Sequence, residues 1–198
     1  MLARRASLLA ACLTTLCLSA CNNAANKSGP PKVLAKDEKV KVAIVSNNPA
    51  ERERTRNTLV KIGRDAVIPL IHELKSPSNR SCWEATKALR AIGDPAAATA
   101  LAENLDHDAS DVRWATAEAL IALGRQGLRQ ALVTLLTKSA SSDLRRAARH
   151  VIWHFAHRPS GNLLRPLLAR FNAFQPAVAV PPAALKALHE MEQGNLRV

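Results

Sequence analysis

Small and apolar residues recur at helical spacing through the middle of the chain. Ala85, Ala88, Leu89 and Ile92 stand at i, i+3, i+4 and i+7, one face of a 3.6-residue period. The segment that carries them, Trp83-Glu-Ala-Thr-Lys-Ala-Leu-Arg-Ala-Ile-Gly93, returns as Trp114-Ala-Thr-Ala-Glu-Ala-Leu-Ile-Ala-Leu-Gly124, 31 residues later. Self-similarity at such a period predicts stacked repeats. One helical hairpin cannot cover an apolar face of this width, so neighbouring units must stack on it.

The pattern predicts pairs of helices in series. Lys39 to Val45 alternates as a strand would, but Asn48-Pro49-Ala50-Glu51 follows it. Those four residues read as a helix start, with Asn as cap, Pro at the first helical position and Glu three residues after the cap. Asp37 to Val45 is therefore predicted as the second helix of an incomplete first unit. First helices are predicted at Ala50 to Ile62, from a capping box at Ser81 to Glu84 as far as Gly93, at Asp111 to Leu123 and at Asp143 to His157. Second helices are predicted at Asp65 to Leu74, from Asp94-Pro95 to Leu105, at Gly127 to Leu136 and at Leu163 to Phe171. Pro182 to Gln193 reads as a last amphipathic helix, with Leu185, Leu188 and Met191 inward, capping the open end. Gly63, Gly93 and Gly124 punctuate the series, and Asp111-Val-Arg113 recurs as Asp143-Leu-Arg145. Abundant Ala, no Tyr and only three Phe suit a flat layered core.

Asp111-Val-Arg113, the Ala-Leu pairs, the Gly stops, Gly93-Asp94-Pro95 and Ile68-Pro69-Leu70, echoed by Arg165-Pro166-Leu167, resemble HEAT-like repeats. The type is the short one found in phycobilisome lyases and many bacterial scaffold proteins. The resemblance spans residues 37–172. It implies an all-α fold, a right-handed α-solenoid of stacked helical hairpins, working as a binding surface. It carries over no catalytic residue. Cys82 departs from it, standing where the family has Arg, and Ala156 stands where a Gly stop is expected.

The first 20 residues read as a leader. Arg4 and Arg5 precede an apolar run from Ser7 to Leu18, too short to span a bilayer comfortably. Leu18-Ser19-Ala20-Cys21 resembles the lipobox of bacterial lipoproteins, which implies cleavage before Cys21 and acylation of that residue. Residues 21–36 then form a lipidated tether rich in Asn, Lys, Ser, Gly and Pro. Asn22, and not Asp, after the Cys implies an outer-membrane destination facing the periplasm. Residues 37–172 are the repeat domain and 173–198 the C-terminal cap. Cys12 and Cys17 leave with the leader, so Cys82 has no partner for an internal disulfide; it reads as a small hydrophobe of a repeat helix.

The net charge is +12. Without Arg4 and Arg5, 26 basic residues face 16 acidic ones. In an exported protein this balance points away from nucleic acid and towards acidic envelope proteins or anionic headgroups. The asymmetry is local: no Asp or Glu occurs from Leu144 to His189.

Three constellations could carry function. Trp83, Trp114 and Arg146 occupy equivalent positions opposite the apolar face, and Arg145, Arg149 and Trp153 stand beside the last of them. Exposed Trp beside Arg marks many binding surfaces; rings leaning over neighbouring repeats as packing is the simpler alternative. His150, His154 and His157 share a helix face at i, i+4 and i+7, expected to be solvent-facing. They are the weak metal candidates, because no carboxylate or Cys lies near them in sequence. Asp106-His-Asp108-x-x-Asp111 lacks the Gly and distal Glu of a calcium loop and reads as a turn supplying helix caps. No nucleophile motif or cofactor fingerprint is present. The expectation is a lipid-anchored periplasmic adaptor and not an enzyme, without cofactor, whose partners are envelope proteins with an acidic surface. The alternative is a binder of a small anionic ligand or metal at the basic, His-rich end.

Overall fold

Caps and glycines cut the chain into helices close to where the pattern predicts. The computed structural model describes residue 46 and residues 48–196. The predicted leader, the predicted lipid site Cys21, the predicted tether and the helix predicted at Asp37 to Val45 lie outside the described residues. Helix α1 (Pro49–Ile62) starts at Asn48, whose side chain accepts from the Ala50 N–H at 2.9 Å. A 3-10 turn (Gly63–Ala66) leads into α2 (Val67–Glu73). Helix α3 (Asn79–Ile92) ends at Gly93, whose φ of 71° is left-handed, a conformation that costs Gly least. A 3-10 turn (Pro95–Ala97), α4 (Ala98–Glu103) and another 3-10 turn (Asn104–Asp106) follow. Then come α5 (Ser110–Ala122), α6 (Arg125–Thr137) and α7 (Ser142–Ala156). A 3-10 turn (Gly161–Leu164) opens α8 (Arg165–Arg170), and α9 (Pro176–Glu192) closes the described chain. No strand occurs among the described residues. No helix among them is long and apolar enough to cross a membrane.

The helices form two layers. First helices α1, α3, α5 and α7 stack in order, each on the next. In the second layer α2 meets the turn Pro95–Ala97, α4 packs on α6, and α6 packs on α9. This is the all-helical α-solenoid predicted. Its core runs continuously through both layers. Leu89, Leu120, Ile152 and Phe155 are fully buried, each contributing about 1.5–3 kcal/mol. At Gly127 a Cβ would stand 1.8 Å from the Leu120 carbonyl oxygen, so only Gly lets α6 turn back so tightly on α5.

A repeated arginine holds the turns between units. Arg113 donates to the carbonyls of His107 (2.6 Å) and Asp108 (2.7 Å). Arg145 donates likewise to Ser139 and to Ala140 (2.8 Å), and Arg52 to Ser46 (2.9 Å). Cys82 occupies this slot in the second unit. There the Cys82 thiol and the Asn104 amide both donate to the Leu74 carbonyl, at 2.9 and 3.2 Å. Burial pushes the Cys82 thiol above its ordinary pKa, as suits a packed thiol and not a reactive one.

Five predictions need correction. Ser78, not Ser81, caps α3, accepting from the Ser81 N–H at 3.3 Å; Ser81 itself is buried within the helix. The turn from Asp106 to Asp111, predicted to supply helix caps, gives α5 none; Ala109 precedes that helix with no side-chain cap bond. The last helix begins at Pro176, six residues earlier than predicted, and contains Pro181 and Pro182. Pro181 has no N–H to give the Ala177 carbonyl, and the Ser139 hydroxyl donates to it instead at 2.9 Å. Its buried face is Val180, Ala184, Ala187, Leu188 and Met191, while Leu185 points outward. Nor does α9 simply cap an end: it lies along α6, with α8 beside it. Arg125 of α6 fixes this placement by donating to the carbonyls of Met191, which also accepts from the Gly194 N–H at 3.2 Å, and Leu196 (3.0 Å) at the end of α9.

Candidate functional site

The outer face of the first-helix layer carries the predicted aromatic and basic positions, and its seams differ. At the α1–α3 seam, Glu84 accepts from Arg52 and Arg56, both at 3.0 Å. Its side chain is 5% exposed. Beside it Trp83 is half-buried, with the Lys87 ammonium 3.9 Å above the ring centre. Burial, and then the nearby Arg56, lowers the Lys87 pKa below its ordinary value. This Trp is packing.

At the α5–α7 seam a cleft of about 230 Å³ opens to solvent. Trp114 and Arg113 from α5 line one wall, and Asp143, Arg146 and His150 from α7 the other. Ala117 and Ala147 lie between them. Trp114 is 59% exposed. Repeat register explains the opening. With the unit offsets of 30, 31 and 32, Ala117 falls where Arg56 stands in the first seam, and Ala147 where Glu84 stands. Two alanines in place of a long ion pair leave the space empty.

The charges around the cleft are partly matched. Asp143 meets Arg113 at 3.5 Å and Arg146 at 3.8 Å. Glu118 ties the layer together, with Arg90 of α3 at 3.4 Å and His150 of α7 at 2.9 Å. Arg146 remains mostly exposed and Arg149 is exposed. An exposed indole and guanidinium across an apolar floor can receive a side chain that is apolar at one end and acidic at the other.

Of the predicted residues, Trp114 and Arg146 share the cleft, and Arg149 lies close by on α7. Trp83 belongs to the closed seam. Trp153 is exposed on α7, its ring 4.3 Å from that of His157, and does not line the cleft. Arg145 is held by the turn carbonyls of Ser139 and Ala140 and offers little to a partner.

The three histidines do not act together. His150 binds Glu118, His154 meets the Arg158 guanidinium at 2.9 Å, and His157 meets the Trp153 carbonyl at 2.8 Å. His157 is exposed and His150 and His154 are half-buried, against the expectation of one solvent face. Burial, with the Arg158 charge second, lowers the His154 pKa. Among the described residues no group of three His, Cys, Asp or Glu side chains is placed to hold a metal.

Glu118 and Asp143 were not among the predicted site residues. The signal was the repeat register: Glu118 and His150 are equivalent positions one unit apart, so stacking sets them face to face. Counting neighbours along the sequence alone leaves His150 without its carboxylate.

The family model for HEAT repeats matches residues 38–121 and again 69–153. The two placements begin 31 residues apart, the period read from the Trp segments, and together run from 38 to 153. No curated protein matches the chain.

Proposed function

The chain belongs to the HEAT-repeat family, and from that premise we propose that it is a lipid-anchored adaptor of the bacterial envelope. HEAT repeats in general mediate protein–protein interaction. In this reading Cys21 carries the lipid, the following tether gives reach, and the protein faces the periplasm from the outer membrane. Acylation with more than one chain suffices for stable anchoring. The protein works by binding and not by catalysis.

The observation that carries the binding reading is the α5–α7 cleft, with Trp114 and Arg146 exposed across it. Exposed Trp and Arg are the residue types that dominate interface energies. The excess of cations on α7 favours a partner with an acidic surface, and Coulomb attraction would speed the encounter.

Affinity capture tests this. Wild-type protein and the Arg146→Glu/Arg149→Glu variant are crosslinked in an envelope extract. One or two proteins retained in defined ratio by the wild type and lost with the variant support the adaptor. Equal capture by both removes the cleft from the reading. Retention of lipid or lipopolysaccharide alone would move the protein to the class of small anionic-ligand binders.

A further inference from the structure

We propose that the α8–α9 end of the protein is a contact surface for an anionic lipid bilayer, separate from the cleft and independent of Cys21. The apolar exposure there is concentrated. Phe174, between the two helices, is 98% exposed; Val178 and Leu185 of α9 are 68% and 59% exposed. Val178, Pro182 and Leu185 recur at i, i+4 and i+7 and so form one stripe of the helix. The opposite face, from Val180 to Met191, is the one buried in the core. Elsewhere the exposed large apolar residues, such as Ile62 and Ile68, stand apart from any such stripe.

From Leu144 to Leu188 the charge around the stripe is cationic; Glu192, two turns beyond Leu185, is turned to Arg129 at 3.7 Å. Arg165, Arg170 and Lys186 are exposed, and no ion pair ties them to a carboxylate among the described residues. No Asp or Glu lies between Leu144 and His189. An apolar stripe edged by cations is the pattern of a helix lying in the headgroup region, its apolar side chains at the acyl boundary. Arginine and lysine stems extend from such a position to phosphate oxygens. A second copy of this chain fits less well. Two such ends face to face would set Arg165, Arg170 and Lys186 against like charges, while the exposed carboxylate of α9, Glu192, is already turned to Arg129.

A photo-crosslinking phenylalanine analogue in place of Phe174 tests the proposal in the full chain, since a side chain so exposed is replaceable without disturbing the core. The same probe at exposed Thr58 of α1 measures adducts due to proximity alone. The probes are vesicles of phosphatidylglycerol with phosphatidylcholine, vesicles of phosphatidylcholine, and an envelope extract. The expected result is lipid adducts at position 174 about tenfold above position 58 on anionic vesicles. They should fall to the position 58 level with Val178→Asp/Leu185→Asp, both on the exposed stripe. Adducts equal at the two positions, or indifferent to lipid charge, overturn it. So do adducts at position 174 mainly to protein in the extract, which would make this end a second protein-docking face.

Discussion

The α1–α3 and α5–α7 seams are built from the same repeat, yet one is closed and the other open. In the first, Arg52 and Arg56 reach across to a buried Glu84. In the last, Arg113 keeps the place of Arg52, but Ala117 and Ala147 replace Arg56 and Glu84, and the contact with Asp143 forms at the rim. The carboxylate that does cross from α5 to α7 is Glu118, more exposed, at 20%, than Glu84. A solenoid thus sets helix spacing with its backbone and core. Whether a seam is closed or open is decided by a few side chains on its outer face.

The largest expected effect breaks the closed seam. Glu84→Ala leaves two partly buried guanidinium groups without their carboxylate and should cost about 3 kcal/mol in urea melts. Glu118→Ala, made in the more exposed network, should cost less than about 1 kcal/mol. Equal losses would mean that burial does not distinguish the seams.

Rebuilding the closed pair in the open seam sharpens the contrast. Ala117→Arg/Ala147→Glu should fill the cleft and reduce partner capture by about tenfold, since one lost anchor at an interface of about 1.4 kcal/mol is tenfold in affinity. Capture at the wild-type level would place the partner elsewhere. Arg146→Glu/Arg149→Glu should weaken capture by a similar or smaller factor while urea melts shift by less than about 0.5 kcal/mol, as surface substitutions do. A loss of stability equal to the loss of capture would make these arginines structural.

The smallest effect is a pH slope. The His154 pKa is lowered in the folded protein, by burial and then by Arg158. The fold therefore holds this imidazole neutral where the unfolded chain protonates it. Its contribution to stability is complete above the ordinary histidine pKa of about 6.5, and is lost as pH falls from there to the depressed value. His154→Gln should flatten thermal melts across that window, and an unchanged slope would assign it to another group.

The repeat period and the helix series were legible because apolar spacing and Gly or Asn caps are local signals. Asn48, Asp94 and Gly93 act where the pattern puts them. The cap of α3 was misplaced because Ser78 and Ser81 offer the same chemistry three residues apart. Pro181 and Pro182 look like a boundary and so predict a shorter last helix, yet the Ser139 hydroxyl, 38 residues away in sequence, satisfies the Ala177 carbonyl that Pro181 leaves free. Of the site, Trp114 and Arg146 could be placed from register. The fates of Trp83, Arg145 and His150 could not, since each depends on a partner: Lys87 over one ring, turn carbonyls around one guanidinium, Glu118 against one imidazole.

By itself the sequence determined the α-helical repeat architecture, because periodicity and capping act within a few residues of each other. Only the tertiary structure decided which seam is open and where α9 lies. Both depend on which side chains of different units stacking sets opposite each other. Stacking brings Ala117 to Ala147 and Arg125 to the end of α9, pairs that no local pattern joins.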